Sequence, residues 1–566
     1  MTSKGTPWRI VLGVGIAYVL TIGLMAIPAS HRLSQRLLGH SSDAWIFYWN
    51  NWWLEQAIAK GRNWLFTPYL FYPQGASLVA HSNSFLNSLL SLPLKPLLGP
   101  VTAYNLVLLF GLWVSAIGMF LLVREITRHS AASFLAGFAF AFTPYHLTQA
   151  LAHGNLGSIH WWPFYALFLR RALRGHHATD ALYAGIFAAL TIWSGLHLAL
   201  LLAIWTATYI GWHLLSLQKT GVRTKNRYAC LYTIGITGLV GIIALTLSVP
   251  VILPVVGDWN RMTDVATTFD EGMTNQTDIL AYLIPPPYNP IAGPCVSPTY
   301  ERFEHNRQYV PYLGYTVLIL AITSLLSRRK EAWFWLLSAG LWMTLAAGST
   351  LRLNGVLYPH IPMPYRFVGQ IFPISAIRTP DRFNLLVVFC LSISAGLGAA
   401  YLARRQRWLL LPLVILTLIE YLYIPLPTWS LPPTSPFFQQ MAQEQALYGV
   451  VDYPMGYFFG KKWLYYQTIH GKPIVEGHIS RYTSENYALI TSNPLLRALY
   501  QPAVKPTGVP EDAFSSEVLP ISALGPSLRA LETSGVRYIL LHKHYLNTDL
   551  EAHFRRLFPL VPVYED

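Results

Sequence analysis

A lone carboxylate, Asp43, begins an aromatic stretch that is suited to acid–base chemistry at a membrane surface. The stretch reads SSDAWIFYWNNWW, and its tryptophans recur every three to four residues from Trp45 to Trp53. This spacing predicts a helix with a Trp-rich face at the lipid headgroup level and with Asp43 at its outer end. An ionised carboxylate there is a candidate general base. The Ser-Ser-Asp tripeptide also suits a helix N-cap, so a capping role stays open.

Two arginines and a histidine further along the chain have the chemistry of a phosphate-binding site. Arg378 and Arg382 are four residues apart in AIRTPDRFN, so their guanidinium groups could clamp a phosphate with bidentate bonds. His153 stands in a tight HGN turn, and Asn155 of that turn is a possible substrate-binding residue. Asp381 could instead pair with either arginine and fix its loop. Histidines near helix ends are also frequent as simple interfacial anchors.

Three further residues are possible substrate-binding groups. Glu55 lies on the Trp-rich helix, and His478 and Arg481 lie in the segment KKWLYYQTIHGKPIVEGHISRYT. Sugar sites combine aromatic faces with polar groups, which is the mixture found in this segment. The alternative is an ordinary domain surface that packs onto the membrane part.

These residues need a membrane scaffold, and the composition predicts one. Of the 566 residues, 53% are hydrophobic and only 12% are charged, and the mean hydropathy is +0.36. We therefore predict a polytopic α-helical membrane protein with about eleven transmembrane helices. The apolar runs that carry this prediction are 8–28, 102–123, 131–150, 159–173, 178–194, 198–215, 229–254, 311–327, 332–348, 384–403 and 408–425.

The basic residues cluster in alternate connections between these runs. Examples are Arg170, Arg171 and Arg174, or Arg404 and Arg405. Cytoplasmic loops carry such clusters, so the N-terminus is predicted inside and the C-terminus outside, with a multi-pass location in the plasma or inner membrane. Topology accounts for the whole formal net charge of +14. The lipid bilayer is therefore the expected partner, and no nucleic acid is required.

The sequence predicts two domains. The first, 1–428, is the transmembrane domain with long outer loops at 29–101, 255–310 and 349–382. The second, 429–566, is an extracytoplasmic α/β domain, because its hydrophobic runs YGVVDYP and VRYILLH have strand length and flank the helical stretch SALGPSLRALETSG. The three cysteines are scattered, so neither a disulfide framework nor a thiolate metal site is expected.

This arrangement resembles the GT-C superfamily of polyprenyl-phosphate-dependent membrane glycosyltransferases. The likeness covers nearly the whole chain and includes the motifs SSDAWIFYWNNWW, PYHLTQALAHGNL, IRTPDRF and GVRYILLH. It implies that a sugar passes, with inversion, from a polyprenyl-phosphate donor to a glycan, lipid or protein acceptor on the outer face. It also implies that Asp43, at the position of the superfamily's first-loop carboxylate, is the general base.

The resemblance is incomplete where the metal-using oligosaccharyltransferases carry an Asp-x-Asp motif in the second outer loop. HGN stands there instead, so metal independence is favoured and no cofactor is expected. Two other functions stay open: a multi-pass lipid or solute transporter, and a non-catalytic partner in glycan assembly. We favour the enzyme over the transporter because we find no internal repeat and because the acids cluster in outer loops.

Overall fold

The computed structural model shows a mostly helical membrane protein. It describes residues 7–30, 33–79, 81–175, 177–218, 223–257, 275–377, 379–481, 483–500, 519–546, 548–557 and 562–565.

The first third of the chain contains one apolar helix, a connecting segment and the start of the helical bundle. The elements of the first helix and the connecting segment are α1 (Trp8–Ser30), β1 (Arg36–Leu38), α2 (Ala44–Ala59), β2 (Phe66–Thr67), β3 (Ala76–Ser77), α3 (Phe85–Ser91) and α4 (Lys95–Leu98). The bundle continues with α5 (Pro100–Thr127), α6 (Ser130–Phe142), α7 (Pro144–Ala152), α8 (Trp162–Gly175), α9 (Ala178–Ser194), α10 (Leu196–Gln218), α11 (Arg223–Leu247) and α12 (Val249–Gly257).

The middle of the chain adds further helices to the bundle, and the last part of the chain adds helices and strands of its own. The middle elements are α13 (Gly293–Tyr300), α14 (His305–Gln308), α15 (Tyr315–Thr323), α16 (Lys330–Ala346), β4 (Thr350–Leu353), β5 (Val356–Pro362), α17 (Tyr365–Val368), α18 (Asn384–Ala403) and α19 (Leu410–Glu420). The last elements are β6 (Thr428–Ser430), α20 (Pro436–Gln443), β7 (Gly449–Tyr453), α21 (Tyr457–His470), α22 (Ala488–Ser492), α23 (Pro494–Leu499), α24 (Ile521–Thr533), β8 (Val536–Leu541) and α25 (Thr548–Leu557).

Every predicted span contains helix, although the lengths differ. Within the described residues, five helices are long and apolar enough to cross a bilayer: Trp8–Ala26, Pro100–Thr127, Leu196–Leu217, Arg227–Leu247 and Pro380–Ala403. The other predicted spans hold shorter helices. The run 131–150, for example, breaks between α6 and α7 at Thr143, because Pro144 has no backbone N–H to continue the helix. The count of eleven spans therefore stays a prediction.

Several of the basic clusters gather at one end of the bundle. Arg170 pairs with Glu331 at 3.0 Å, and Arg171 pairs with Glu125 at 3.1 Å. At the same end, Arg404 donates a hydrogen bond to the Thr127 carbonyl oxygen at 3.1 Å. These clusters come from separate connections in sequence. Their convergence agrees with the predicted cytoplasmic face, whose orientation stays a prediction.

The predicted position of the Trp-rich face is wrong. Trp45, Trp49 and Trp53 are at most 4% exposed, and they pack into one core with the C-terminal elements instead of facing lipid. The Trp49 indole N–H donates to the Gln467 side-chain oxygen at 2.6 Å, so α2 lies directly against α21. The segment that follows α1 and the C-terminal region thus share a hydrophobic core. Helical periodicity identified the apolar face correctly but not the surface that covers it.

Within the C-terminal region, the two runs predicted as strands form a parallel pair. Val450 aligns with Tyr538 and Asp452 aligns with Leu540, so β7 and β8 lie side by side. The stretch predicted as helical is α24, which directly precedes β8. Parallel pairing of β7 and β8 requires a crossover, and the intervening helices supply it.

We expect Gly398→Ala to destabilise the bundle. A Cβ at position 398 would lie 1.8 Å from the Leu320 carbonyl oxygen, so α18 and α15 would have to separate. The expected loss is about 3 kcal/mol. Thermal unfolding of the purified protein in detergent measures it. Gly340→Ala on α16 is the matched control, because nothing lies within 4 Å of a Cβ there. Equal melting temperatures for the two variants would contradict the packing of α18 on α15.

Candidate functional site

Backbone contacts bring Asp43 to the end of α7. β1 pairs antiparallel with β6, and the Gly39 N–H donates to the Pro427 carbonyl oxygen at 3.0 Å. The next residue, His40, donates its N–H to the Leu151 carbonyl oxygen at 3.2 Å. Gly39 has φ +147°, and a Cβ there would lie 2.8 Å from that same carbonyl oxygen. Glycine therefore allows the close approach that carries the loop onto α7.

The Asp43 carboxylate faces two basic side chains. Asp43 directly precedes α2, but its side chain caps no backbone N–H of that helix. Oδ1 accepts a hydrogen bond from Lys461 Nζ at 2.5 Å, and Oδ2 lies 3.3 Å from His153 Nε2. About a fifth of the Asp43 side chain is exposed (21%), so a small group can reach it. The capping role that the sequence left open is not the one that the side chain adopts.

A second carboxylate, Asp381, lies in the same region. His305 Nε2 is 2.9 Å from Asp381 Oδ2, and the Tyr145 hydroxyl donates to Asp381 Oδ2 at 3.1 Å. Tyr309 joins the two halves of the site, because its ring contacts both His153 and His305. Its hydroxyl lies 3.4 Å from His153 Nε2. Asp43 and Asp381 are therefore linked through two histidines and one tyrosine.

The surroundings keep Asp43 ionised and His153 neutral. Burial opposes ionisation of Asp43, but the charges of His153 and Lys461 and the Lys461 hydrogen bond outweigh it and lower the pKa of Asp43. Burial lowers the pKa of His153 to about 4, although the Asp43 charge acts in the opposite direction. His153 is therefore uncharged at neutral pH, and Lys461 is the cation in contact with Asp43 in that range.

Two of the predicted phosphate-binding residues, His153 and Arg382, lie close enough to interact. Arg382 is half-buried, and its charge is one of those that lower the pKa of His153. Arg378 lies outside the described residues. Asn155 is buried, and its side-chain oxygen accepts the Leu156 N–H at 2.9 Å, so this amide stabilises the HGN turn.

The other predicted substrate-binding residues separate into two groups. His478 is 4% exposed and close enough for its charge to lower the pKa of Asp43, and Arg481 is half-buried three residues later. Glu55 lies twelve residues beyond Asp43, where it pairs with Lys95 at 2.9 Å. Glu55 is therefore not part of the cluster around Asp43. No observation assigns a substrate to these three residues, and their roles stay predictions.

Sequence reasoning missed Lys461, the closest partner of Asp43. Its signal was present in the helical spacing of KKWLYYQTIH, which places Lys461, Tyr465 and Thr468 on one face. Tyr465 contacts Trp45 on α2, with ring centroids 5.4 Å apart. The sequence also did not reveal that His305 pairs with Asp381, because 76 residues separate the two.

The side chains around Asp43 are not suited to binding a divalent metal ion. Metal sites of Mg²⁺ or Mn²⁺ gather several oxygen ligands, whereas the closest group to Asp43 is the Lys461 ammonium. Among the described residues, no group of three or more His, Cys, Asp or Glu side chains is arranged to hold a metal ion. Metal independence of the reaction nevertheless stays a prediction.

The chain is similar to several solved structures. The chain is similar to the arabinofuranosyltransferase AftD from mycobacteria, with a TM-score of 0.50, 12% identity and coverage of 88% of this chain and 35% of that chain. It is also similar to the apo oligosaccharyltransferase of Archaeoglobus fulgidus (TM-score 0.46, 12% identity, 82% of this chain and 64% of that chain). A structure of that archaeal enzyme, AglB, in complex with an inhibitory peptide and a dolichol-phosphate gives a TM-score of 0.45 at 11% identity. The match covers 97% of this chain and 70% of that chain.

These neighbours are an arabinofuranosyltransferase and an oligosaccharyltransferase, and the likeness to the first of them supports the expected fold alone. The chain spans less than two thirds of the apo oligosaccharyltransferase and about a third of AftD. No family model and no curated protein sequence matches the chain.

Replacing Lys461 by methionine should raise the pKa of Asp43, because the variant loses the ammonium and its hydrogen bond. If activity requires ionised Asp43, the acidic limb of the rate–pH profile moves to higher pH. Activity is then lost at a pH where the wild type still works. The profile of kcat/KM against pH measures the shift.

Two control variants separate this effect from misfolding. Lys461→Arg keeps the charge and should restore the wild-type profile. Lys462→Met removes the neighbouring ammonium, which lies over the Tyr545 ring at 4.3 Å, and should leave the acidic limb in place. If the acidic limb of the Lys461→Met profile stayed at the wild-type pH, the contact between Lys461 and Asp43 would not control the pKa of the base.

Proposed function

We propose that the protein is an inverting glycosyltransferase that moves a sugar from a polyprenyl-phosphate donor to an acceptor on the outer face of the membrane. The observation that carries this proposal is the pairing of Asp43 with Lys461, beside neutral His153, at the bundle end away from the basic clusters. The shared fold with GT-C enzymes supports the reaction class. A fold alone does not select a reaction, so the argument rests on the site.

Asp43 is the general base in this proposal. The acceptor hydroxyl donates its proton to Asp43 Oδ2 while its oxygen forms a bond to the anomeric carbon of the donor sugar. The bond between that carbon and the phosphate oxygen breaks, and its electron pair leaves with the phosphate. Because attack and departure take place on opposite faces, the anomeric configuration inverts. Lys461 is 2.5 Å from Oδ1 and His153 Nε2 is 3.3 Å from Oδ2, so we assign proton acceptance to Oδ2, the oxygen with the longer contact.

Two cations near His153 favour an anionic donor. The charges of Arg382 and Lys461 both act to lower the pKa of His153, against the charge of Asp43. A polyprenyl phosphate gains negative charge as its sugar leaves, and preorganised cations stabilise that charge. We assign this role to Arg382 and, by its position in the sequence, to Arg378. His153 is neutral and can contribute a hydrogen bond.

The acceptor side of the site comes from the C-terminal region. Lys461 and His478 both act on Asp43 although they lie more than 400 residues further along the chain. Because α2 packs directly against α21, a glycan, lipid or protein acceptor would reach Asp43 through the exposed fifth of its side chain. We therefore propose that the C-terminal region helps to present the acceptor, which places it in the catalytic cycle.

Asp43→Asn should abolish sugar transfer while leaving the fold intact. The amide keeps the shape of the side chain but cannot accept the acceptor proton, so we expect a loss of about 100- to 10,000-fold in kcat. Transfer from a polyprenyl-phosphate sugar in reconstituted vesicles measures it. Asp549→Asn, on the first turn of α25, is the control and should keep full activity. Wild-type turnover by Asp43→Asn would remove Asp43 from the reaction.

Arg382→Ala should weaken binding of the donor. Loss of one charge-assisted hydrogen bond to phosphate corresponds to about a tenfold rise in KM for the donor. Steady-state kinetics with varied donor concentration measure the change. Arg537→Ala removes an arginine that pairs with Glu444 at 2.6 Å in the C-terminal region, and it should leave this KM unchanged. An unchanged KM in Arg382→Ala would end the phosphate assignment.

A further inference from the structure

A groove of about 550 Å³ lies on α2 beyond the Asp43 site, between α2, the α4 turn and the start of α5. Tyr48, Asn51, Trp52 and Glu55 of α2 form one wall, and Lys95 forms the other. Thr468 of α21 closes the end nearest the C-terminal region. The volume is in the range of small-molecule sites.

The polar part of the groove is an ion pair whose charges cancel. Lys95 Nζ donates to Glu55 Oε2 at 2.9 Å and to the Asn51 carbonyl oxygen at 2.7 Å. The Lys95 side chain is only 9% exposed, whereas that of Glu55 is 45% exposed. The groove therefore presents a carboxylate acceptor beside an ammonium donor without net charge. Such a pair suits neighbouring hydroxyl groups, each of which both donates and accepts, better than it suits a simple ion.

Most of the remaining lining of the groove is apolar, and it adjoins the predicted bilayer. The Trp52 ring is half-buried beside Glu55, and aromatic faces of this kind pack on the CH groups of a sugar ring. Next to the groove, Leu97 is 78% exposed, Leu98 is 45% exposed and Ile58 is 54% exposed. α5, a candidate membrane span, begins only two residues after Leu98. Exposed leucines at the mouth of a span face acyl chains at low cost.

We propose that this groove binds the sugar headgroup of a neutral glycolipid, with Glu55 and Lys95 on its hydroxyls, Trp52 against its ring and its tail along Leu97 and Leu98. Binding itself does not depend on the proposed transfer reaction. The identity of this lipid as the acceptor does rest on that reaction.

The distance between Glu55 and Asp43 then indicates the length of the acceptor. Asp43 and Glu55 are twelve residues apart, which corresponds to about 18 Å along a helix. One sugar bound at Glu55 and Lys95 cannot also reach Asp43. The acceptor is therefore a lipid-anchored oligosaccharide, which is held by its membrane-proximal sugar and extended at its far end.

Photo-crosslinking in nanodiscs tests the binding. The full chain is placed in phosphatidylcholine nanodiscs that contain monoglucosyl diacylglycerol with a diazirine in its acyl chain, and labelled peptides are mapped after irradiation. We expect labelling at the end of α4 and the start of α5. Glu55→Gln should reduce it on the order of tenfold, the loss of one charge-assisted hydrogen bond. Trp52→Leu should reduce it as well, as a second variant of independent chemistry.

Controls and competitors decide the outcome. Glu444→Gln breaks an ion pair of similar geometry in the C-terminal region and should keep full labelling. Unlabelled monoglucosyl diacylglycerol should suppress labelling, whereas phosphatidylglycerol and soluble methyl glucoside should not. Equal suppression by phosphatidylglycerol would overturn recognition of the sugar, and equal suppression by methyl glucoside would overturn recognition of the lipid. Equal labelling of Glu55→Gln and wild type would end the proposal.

The same assay separates this proposal from the transferase proposal. Asp43→Asn should keep full labelling, because Glu55 lies about 18 Å along the helix from that residue. Loss of labelling in active protein would refute the groove alone. Labelling of a wild-type protein that shows no transfer activity would refute the transferase alone.

Discussion

The contact between Asp43 and Lys461 is the interaction on which the site depends. The two residues are 418 positions apart, and both side chains are largely removed from water. Burying opposite charges is favourable only when their geometry is good, and removing one partner of such a pair costs about 3–5 kcal/mol. The pair therefore connects the C-terminal region to the start of α2. Its Lys461 ammonium also helps to keep the Asp43 carboxylate ionised by lowering the pKa of that group.

Aromatic packing holds this ion pair in place. α2 and α21 lie side by side, with Trp45 against Tyr465 and Trp49 bonded to Gln467. A tryptophan face that suits a lipid interface also suits a protein core, because both bury the ring and satisfy the indole N–H. In this chain the tryptophans lie in a protein core. As a result, α2 carries the Asp43 site at one end and the Glu55 groove along its length.

Charge is distributed to match this arrangement. At one end of the bundle, Arg170 and Arg171 form ion pairs with carboxylates and Arg404 donates a hydrogen bond to a carbonyl oxygen. At the opposite end, basic groups surround buried carboxylates instead. This separation agrees with the predicted cytoplasmic face at one end and with the proposed anionic lipid donor at the other.

The sequence by itself determined the membrane character, the approximate helices, the strands β7 and β8, and the residues Asp43, His153 and Arg382 as chemically interesting. Hydropathy, helical spacing and residue type are local quantities, so they can be read without knowing neighbours in space. Only the tertiary structure showed that the Trp face of α2 is covered by protein, that Lys461 meets Asp43, and that Glu55 belongs to a separate groove. Those facts depend on which faces pack together across hundreds of residues, and periodicity shows that a face is buried but not what buries it.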